Sequence, residues 1–447
     1  KLITVNPERN ETFLDVNTVK IIPRPPAAGY KPAFINNNAL LHATGNATGI
    51  VEVEIINEMA IEDLDTFVVS FEENPISYSV EDKKITSEMF TAKIDKFISL
   101  KNKWINETSF GLFNLDKSIV YQINIDYELD SEFGRIKSLT GGSLNEGEQY
   151  QIEYTFWPIK NSRLFNLEES NPVFDGMKIY LKDEELKLDL QNTGWSTSSS
   201  ANSIYSITPY NGDSDYMYPA DYEVHFSASI IDTGSLNEIL TNFTIYEVTN
   251  GMEPVAQRFA VFDSDQDPGI WNYGERVILL IGDEGLNPSW EFKLFEPQAI
   301  ESIDPSEGDI LKISTTRPFS AEDTYVFSTI SSKIEDADVE NDMDRINVVP
   351  NPYVVTNQLE QLDLQNPLDR GPRRIYFNHL PKNCTINIYT VAGFLVNTIK
   401  HNSTIDDGIE YWDLTTKDNF PVAYGIYIYH VDAGKFGKKV GRFALIK

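Results

Sequence analysis

Apolar and polar residues alternate along most of this chain, at the period of two that a strand with one buried face requires. Val51, Val53 and Ile55 share one side of the stretch 50–55, and the same period recurs at 67–71. It is clearest at 121–129, where Tyr121, Ile123, Ile125, Tyr127 and Leu129 interleave with four polar residues, and it returns at 150–156. Further on it marks 177–181, 222–226, 243–248, 258–262, 277–281, 309–313 and 324–328. No long stretch carries the 3.6-residue period of an amphipathic helix. The pattern therefore predicts an all-β protein, a tandem array of β-sandwich domains of immunoglobulin or fibronectin type.

Breaks in the alternation divide the chain. Pro7, Pro23, Pro25, Pro26 and Pro32 interrupt residues 1–35, which suits an extended arm. A first sandwich is expected over 36–165 and a second over 166–334. The second opens on the Asp175-Gly176 turn before the strand at 177–181, has a Ser- and Asn-rich surface loop at 194–203, and closes on the strands 309–313 and 324–328. The charge run at 335–348 reads as an acidic linker or a short exposed helix, and a small sandwich fills 349–447. A chain of 447 residues accommodates about three domains, which agrees with that division.

Charge changes the picture. The net charge of −31 is uneven: residues 346–447 hold 11 Lys+Arg against 9 Asp+Glu, leaving 26 against 59 for residues 1–345. So acidic a surface repels phosphate backbones and anionic lipid, which argues against nucleic acid and against direct membrane insertion, and makes divalent cations natural counterions. No apolar run reaches the ~20 residues of a membrane-spanning helix, and Lys1-Leu2-Ile3 is not a signal peptide, so a mature product or a fragment of a longer precursor is expected. The single cysteine, Cys384, cannot staple the fold and is expected as a small buried hydrophobe.

The last hundred residues carry the most readable motifs. They run from Val349-Pro350-Asn351-Pro352-Tyr353 through the strand Thr385-Ile386-Asn387-Ile388-Tyr389 and the turn at Ala392-Gly393. Then come Tyr411-Trp412-Asp413-Leu414, Val422-Ala423-Tyr424-Gly425-Ile426 and the terminal Gly441-Arg442-Phe443-Ala444-Leu445-Ile446-Lys447. This order of segments resembles the C-terminal sorting domain of type IX secretion cargo, which is itself similar to the immunoglobulin-like domain of flagellar hook-capping proteins. The motif positions are Asn351, Pro352, Gly393, Trp412, Asp413, Gly425 and Lys447. The resemblance implies a small β-sandwich that serves as an export address read by an outer-membrane translocon, and a protein placed outside a Gram-negative cell.

Elsewhere the candidate chemistry is sparse. Asp263, Asp265 and Asp267 alternate before Gly269, so their carboxylates can converge on one hard cation, and calcium prefers such an all-oxygen shell. An acidic solvated turn explains the same residues. Asp213, Asp215 and Asp221, and Asp304, Glu307 and Asp309, are weaker versions. The five histidines are scattered with no metal-ligand spacing, and neither a nucleophile elbow nor a phosphate-binding glycine loop occurs. Trp195 and Trp271 could stack on a polysaccharide, although core packing is their expected duty. The expectation is a secreted, non-enzymatic structural or adhesive protein, partnered by copies of itself or by other surface proteins and assembling into a surface layer or filament. The alternative is the spacer and carbohydrate-binding part of a secreted hydrolase with its catalytic domain upstream.

Overall fold

The computed structural model describes residues 2–4, 18–20, 24–236, 238–249, 253–262, 269, 271–282, 287–298, 301–354 and 373–446. Over these residues the chain is all-β, in several mostly antiparallel sheets, and the one α-helix among them is Asp336–Asp342. Two compact units divide it, one of residues 35–56 and 65–328, the other of residues 1–34, 57–64 and 329–447.

The first of these units is built on one long antiparallel pair, Ser77–Thr91 against Gln149–Ser162. Strands of 15 and 14 residues outrun a single flat sheet, and register shifts between Tyr154 and Ser162 bend this one. Its two ends therefore serve different cores. Phe90, Tyr150, Ile152 and Tyr154 pack with Leu112, Tyr127 and Ile136. At the other end Tyr78, Val80, Phe67, Val69 and Phe71 are buried.

Strand order follows the aromatic residues more than chain order. Thr324–Ile330, expected to close the second sandwich, is hydrogen-bonded instead to Thr66–Glu72, and Phe327 stands opposite Phe67 with the rings stacked at 5.1 Å. Ile50–Ile55 pairs with Met177–Lys182 along six residues. Asp175 and Gly176, at φ 43° and 77°, make the tight turn that sets Phe174 opposite Met177, as the Asp-Gly pair predicts. The alternating stretch 121–129 is not one strand. It breaks into Val120–Tyr121 and Tyr127–Asp130 because the Asp126 carboxylate accepts the Gln122 and Ser143 amides at 2.8 Å, Asn124 turns to φ 63°, and Ile123 and Ile125 face water.

Between Met177–Lys182 and Thr324–Ile330 the chain forms a separate two-sheet core. One sheet holds Ile204–Pro209, Asn287–Phe295, Arg276–Ile281 and Phe259–Phe262; the other holds Gly194–Trp195, Ile310–Ile313, Tyr222–Phe226, Phe243–Glu247 and Val255–Ala256. Trp290, Phe292, Val224, Ile245, Val277 and Leu311 fill the space between them. The two tryptophans considered as sugar platforms pack against this core. Trp271 stacks on Phe226 at 5.5 Å, and Trp195 donates its indole N–H to the Ser203 carbonyl at 2.8 Å.

In the other unit, the charge run contains the helix Asp336–Asp342, which buries Val339. Residues 24–31 are held against the terminal sandwich by backbone bonds from Ala27 to Ile405, Ala28 to Leu380 and Gly408 to Pro25. Gly408 is required there, since a Cβ would lie 2.3 Å from the Pro26 carbonyl oxygen. Farther upstream, Leu2–Thr4 and Thr18–Lys20 form a two-stranded antiparallel sheet.

Candidate functional site

The terminal sandwich sets Asn347–Val349, Ile375–Asn378 and Glu410–Trp412 against a five-stranded sheet. That sheet runs Tyr353–Val354, Lys438–Ile446, Gly425–Asp432, Asn383–Thr390, Leu395–Asn402 in spatial order. Period-two side chains from both layers meet in the middle: Ile386, Ile388, Tyr429, Val431 and Phe443 from the larger sheet, Ile375, Phe377 and Trp412 from the smaller.

The residues expected at the motif positions build this architecture. Asn351 lies beside the last strand, its Oδ1 accepting the Ala444 amide and its Nδ2 donating to the Arg442 carbonyl, each at 3.2 Å. In this way its side chain does the work of a neighbouring strand's backbone. Pro352 follows and delivers Tyr353 into the core, opposite Leu445 in a parallel pairing. Trp412 is buried edge-on against Phe443 at 5.9 Å and Tyr427 at 6.2 Å, and its indole N–H finds the Thr415 carbonyl at 2.9 Å. Next to it, the Asp413 carboxylate accepts both the amide and the hydroxyl of Thr415, closing the corner that follows. Gly393, at φ 83°, supplies the reversal between two long strands, and Gly425 opens the central strand opposite Leu445. Lys447 lies outside the described residues.

One end of this sandwich has an apolar rim that the alternation did not reveal. Val391, Phe394 and Phe420 are 68%, 73% and 68% exposed, and Tyr424 and Ile426 are half exposed. Strand pairing gathers them. Thr390 stands opposite Tyr427, Ile426 opposite Ala444, and the Lys417 amide binds the Val396 carbonyl, so the 390–395 turn, the 416–420 turn and the start of Gly425–Asp432 share one end. The signal available in the sequence was large apolar residues at turn positions, where polar ones are usual.

Cys384 stands opposite His401, both buried, and His401 Nδ1 is 2.9 Å from Glu410 Oε2. Burial, and then the neighbouring Glu410 carboxylate, push the thiol up to about 12, so it stays protonated at neutral pH and is no nucleophile.

The calcium candidates Asp263, Asp265 and Asp267 lie outside the described residues. The weaker acidic groups are engaged by the protein itself. Asp309 accepts the Ser200 and Ser306 amides at 2.6 and 2.9 Å, Glu307 accepts the Ala228 amide at 2.9 Å, Asp213 accepts the Asp215 amide at 3.1 Å, and Asp221 pairs with Arg317 at 2.8 Å. Among the described residues no three His, Cys, Asp or Glu side chains are grouped to hold a metal ion.

No family model and no curated protein matches the chain. Among solved structures it is weakly similar to PorZ of Porphyromonas gingivalis, described as an essential bacterial surface component of the type-IX secretion system, at 11% identity over 93% of this chain and 59% of that one, with a TM-score of 0.21. It is similar also to dimeric latent PorU of the same organism, at 10% identity over 76% of this chain and 46% of that one, with a TM-score of 0.16. The chain thus spans less than two thirds of either structure, and likeness at this level says nothing of activity.

Proposed function

We propose that this is a secreted, non-enzymatic protein of a Gram-negative cell exterior, exported through its terminal sandwich and serving a structural or adhesive role in a self-associating surface assembly. The terminal sandwich is the export address, and its apolar rim is the face that docks on the outer-membrane translocon. Strand addition by the N-terminal segment joins one copy to the next, and calcium binds the turn at Asp263, Asp265 and Asp267. The observation that supports the export reading is the rim itself. Val391, Phe394 and Phe420 crowd one end of a sandwich whose core is already filled by Trp412 and Phe443, so their exposure does nothing for the fold and suits a partner.

The test is export of the Phe394→Ser/Phe420→Ser double variant from the native cell. Both side chains are exposed, so the melting temperature should hold while the protein accumulates in the periplasm. Export at the wild-type level would remove the rim from the address.

A further inference from the structure

We propose that the open edge of the strand Ile50–Ile55 accepts, as an added strand, the Thr18–Lys20 segment of a second copy of this chain. This rests on the self-association put forward above and names the place where it happens.

The acceptor is an unusual edge. Ile50–Ile55 is the last strand of a three-stranded sheet, paired along its whole length with Met177–Lys182 on one side only. Its outward N–H and C=O groups form no hydrogen bond. Apart from its two glutamates it lacks the usual protections of an edge, being regular, six residues long and free of proline, lysine and bulges. Neither face is fully buried, and Ile50 is exposed.

Charge then selects the occupant. Glu52 and Glu54 stand exposed on one face, and neither forms an ion pair; Glu54 accepts only the Tyr180 hydroxyl, at 3.0 Å. An antiparallel pairing of this edge with its own copy, about a two-fold axis perpendicular to the sheet, joins residues of equal parity and sets glutamate against glutamate. The edge therefore rejects itself and asks for a cation directly opposite one of its carboxylates, on the same face. In a chain of net charge −31, residues 16–28 contain Lys20 and Arg24 and no Asp or Glu, and Thr18-Val19-Lys20-Ile21-Ile22 is rich in β-branched residues. Thr18–Lys20 already forms a strand, but only in a two-stranded sheet with Leu2–Thr4, and such a ribbon is marginal until a third strand joins it. The backbone bonds of Pro25 and Ala27 to the loop at 405–408 anchor the root of the segment. Added antiparallel to Ile50–Ile55 with Lys20 opposite Glu52 or Glu54, the segment would put its cation on the glutamate face, with the other carboxylate diagonal to it.

The experiment is sedimentation velocity over a concentration series on the full chain, on a chain lacking residues 1–23, on Glu52→Lys/Glu54→Lys, on Lys20→Glu, and on the triple variant that combines the last two. The wild type should associate, the truncation should be monomeric, and each charge reversal should weaken association at least about tenfold, opposed charges becoming like ones. The triple variant should recover most of the loss, a rescue that damage to the fold cannot mimic. A synthetic peptide of residues 18–24 should compete with association of the wild type. If the truncation is monomeric while Glu52→Lys/Glu54→Lys associates normally, the arm acts on another surface and the acceptor is wrong. If the full chain is itself monomeric at every concentration, the self-association reading falls with it.

Discussion

Arg317 and Asp221 form an ion pair at 2.8 Å in which the guanidinium is almost wholly buried. Arg317 also donates from Nε to the Asn46 carbonyl at 2.6 Å and from Nη1 to the Thr315 carbonyl at 3.2 Å, while Thr48 accepts its amide at 2.7 Å. One side chain thus ties the loop at 46–48 to the strand ending that carries Thr315. Arg317→Ala would leave the Asp221 carboxylate without its counterion and is expected to cost about 3–5 kcal/mol. Arg317→Met with Asp221→Leu removes both charges together and should recover much of that loss. Urea unfolding at constant m would show the order.

Asp82 gives the same unit a pH dependence of unusual sign. Burial, only partly opposed by the Lys84 amide at 2.8 Å, and then the nearby Asp65 and Asp175 carboxylates, raise its pKa to about 6. A carboxyl raised in the folded state holds its proton where the unfolded chain has lost it, so its contribution to stability is complete below about pH 4 and disappears as pH rises through about 6. By neutral pH the stability lost relative to acid amounts to at most about 3 kcal/mol for a shift of roughly two pH units. Asp82→Asn keeps the acceptor for Lys84 without the charge. It should raise the melting temperature at pH 7.5, leave it nearly unchanged near pH 3, and flatten the slope between; an equal effect at both values would refute the assignment. For Asp323 and Asp126 burial pushes upward, but the backbone amides and hydroxyls they accept outweigh it and hold them low, so they work the other way and weaken the fold only under stronger acid.

What the alternation could show was which residues share a face, and for most strands it did. It could not show which strand lies beside which. Phe67 and Phe327 are far apart in sequence, and nothing local to either says that their rings stack; that is a fact of packing. Where alternation misled, at 121–129, a single carboxylate outweighed it: Asp126 offers the backbone a tighter arrangement than a ladder would. The structural places of Gly393, Trp412 and Asp413 in the terminal sandwich were legible because these residues answer to local demands of turn and corner. The apolar rim was not read, since exposure is a property of the finished surface; its only trace in the sequence is apolar residues such as Phe394 and Phe420 at turn positions.

Calcium is a test of the acidic segment by itself. If Asp263, Asp265 and Asp267 converge on the ion, about 100-fold excess over the dissociation constant should add about 2.7 kcal/mol, since the ion binds the folded chain and not the unfolded one. Melting should then rise in calcium and fall in chelator, and Asp263→Asn/Asp265→Asn should abolish the difference. Superimposable curves for the wild type in calcium and chelator would mean that the three aspartates hold no ion.

Cys384 offers a clean readout of local opening. A thiol pushed up to about 12 is almost entirely protonated at pH 8, and the side chain lies between strands beside His401. Modification by a disulfide reagent must therefore wait for the sandwich to open, and the native rate should fall short of the rate in denaturant by at least about a hundredfold. Trp412→Ala removes the ring that fills the same core and should cost about 3–5 kcal/mol. If it loosens the sandwich as packing predicts, Cys384 labelling accelerates in that variant by a similar free energy. In Phe420→Ser, whose side chain is exposed, the labelling rate should stay where it was. A native thiol that reacts at once in the wild type would show that the strand carrying Cys384 is not part of a closed core.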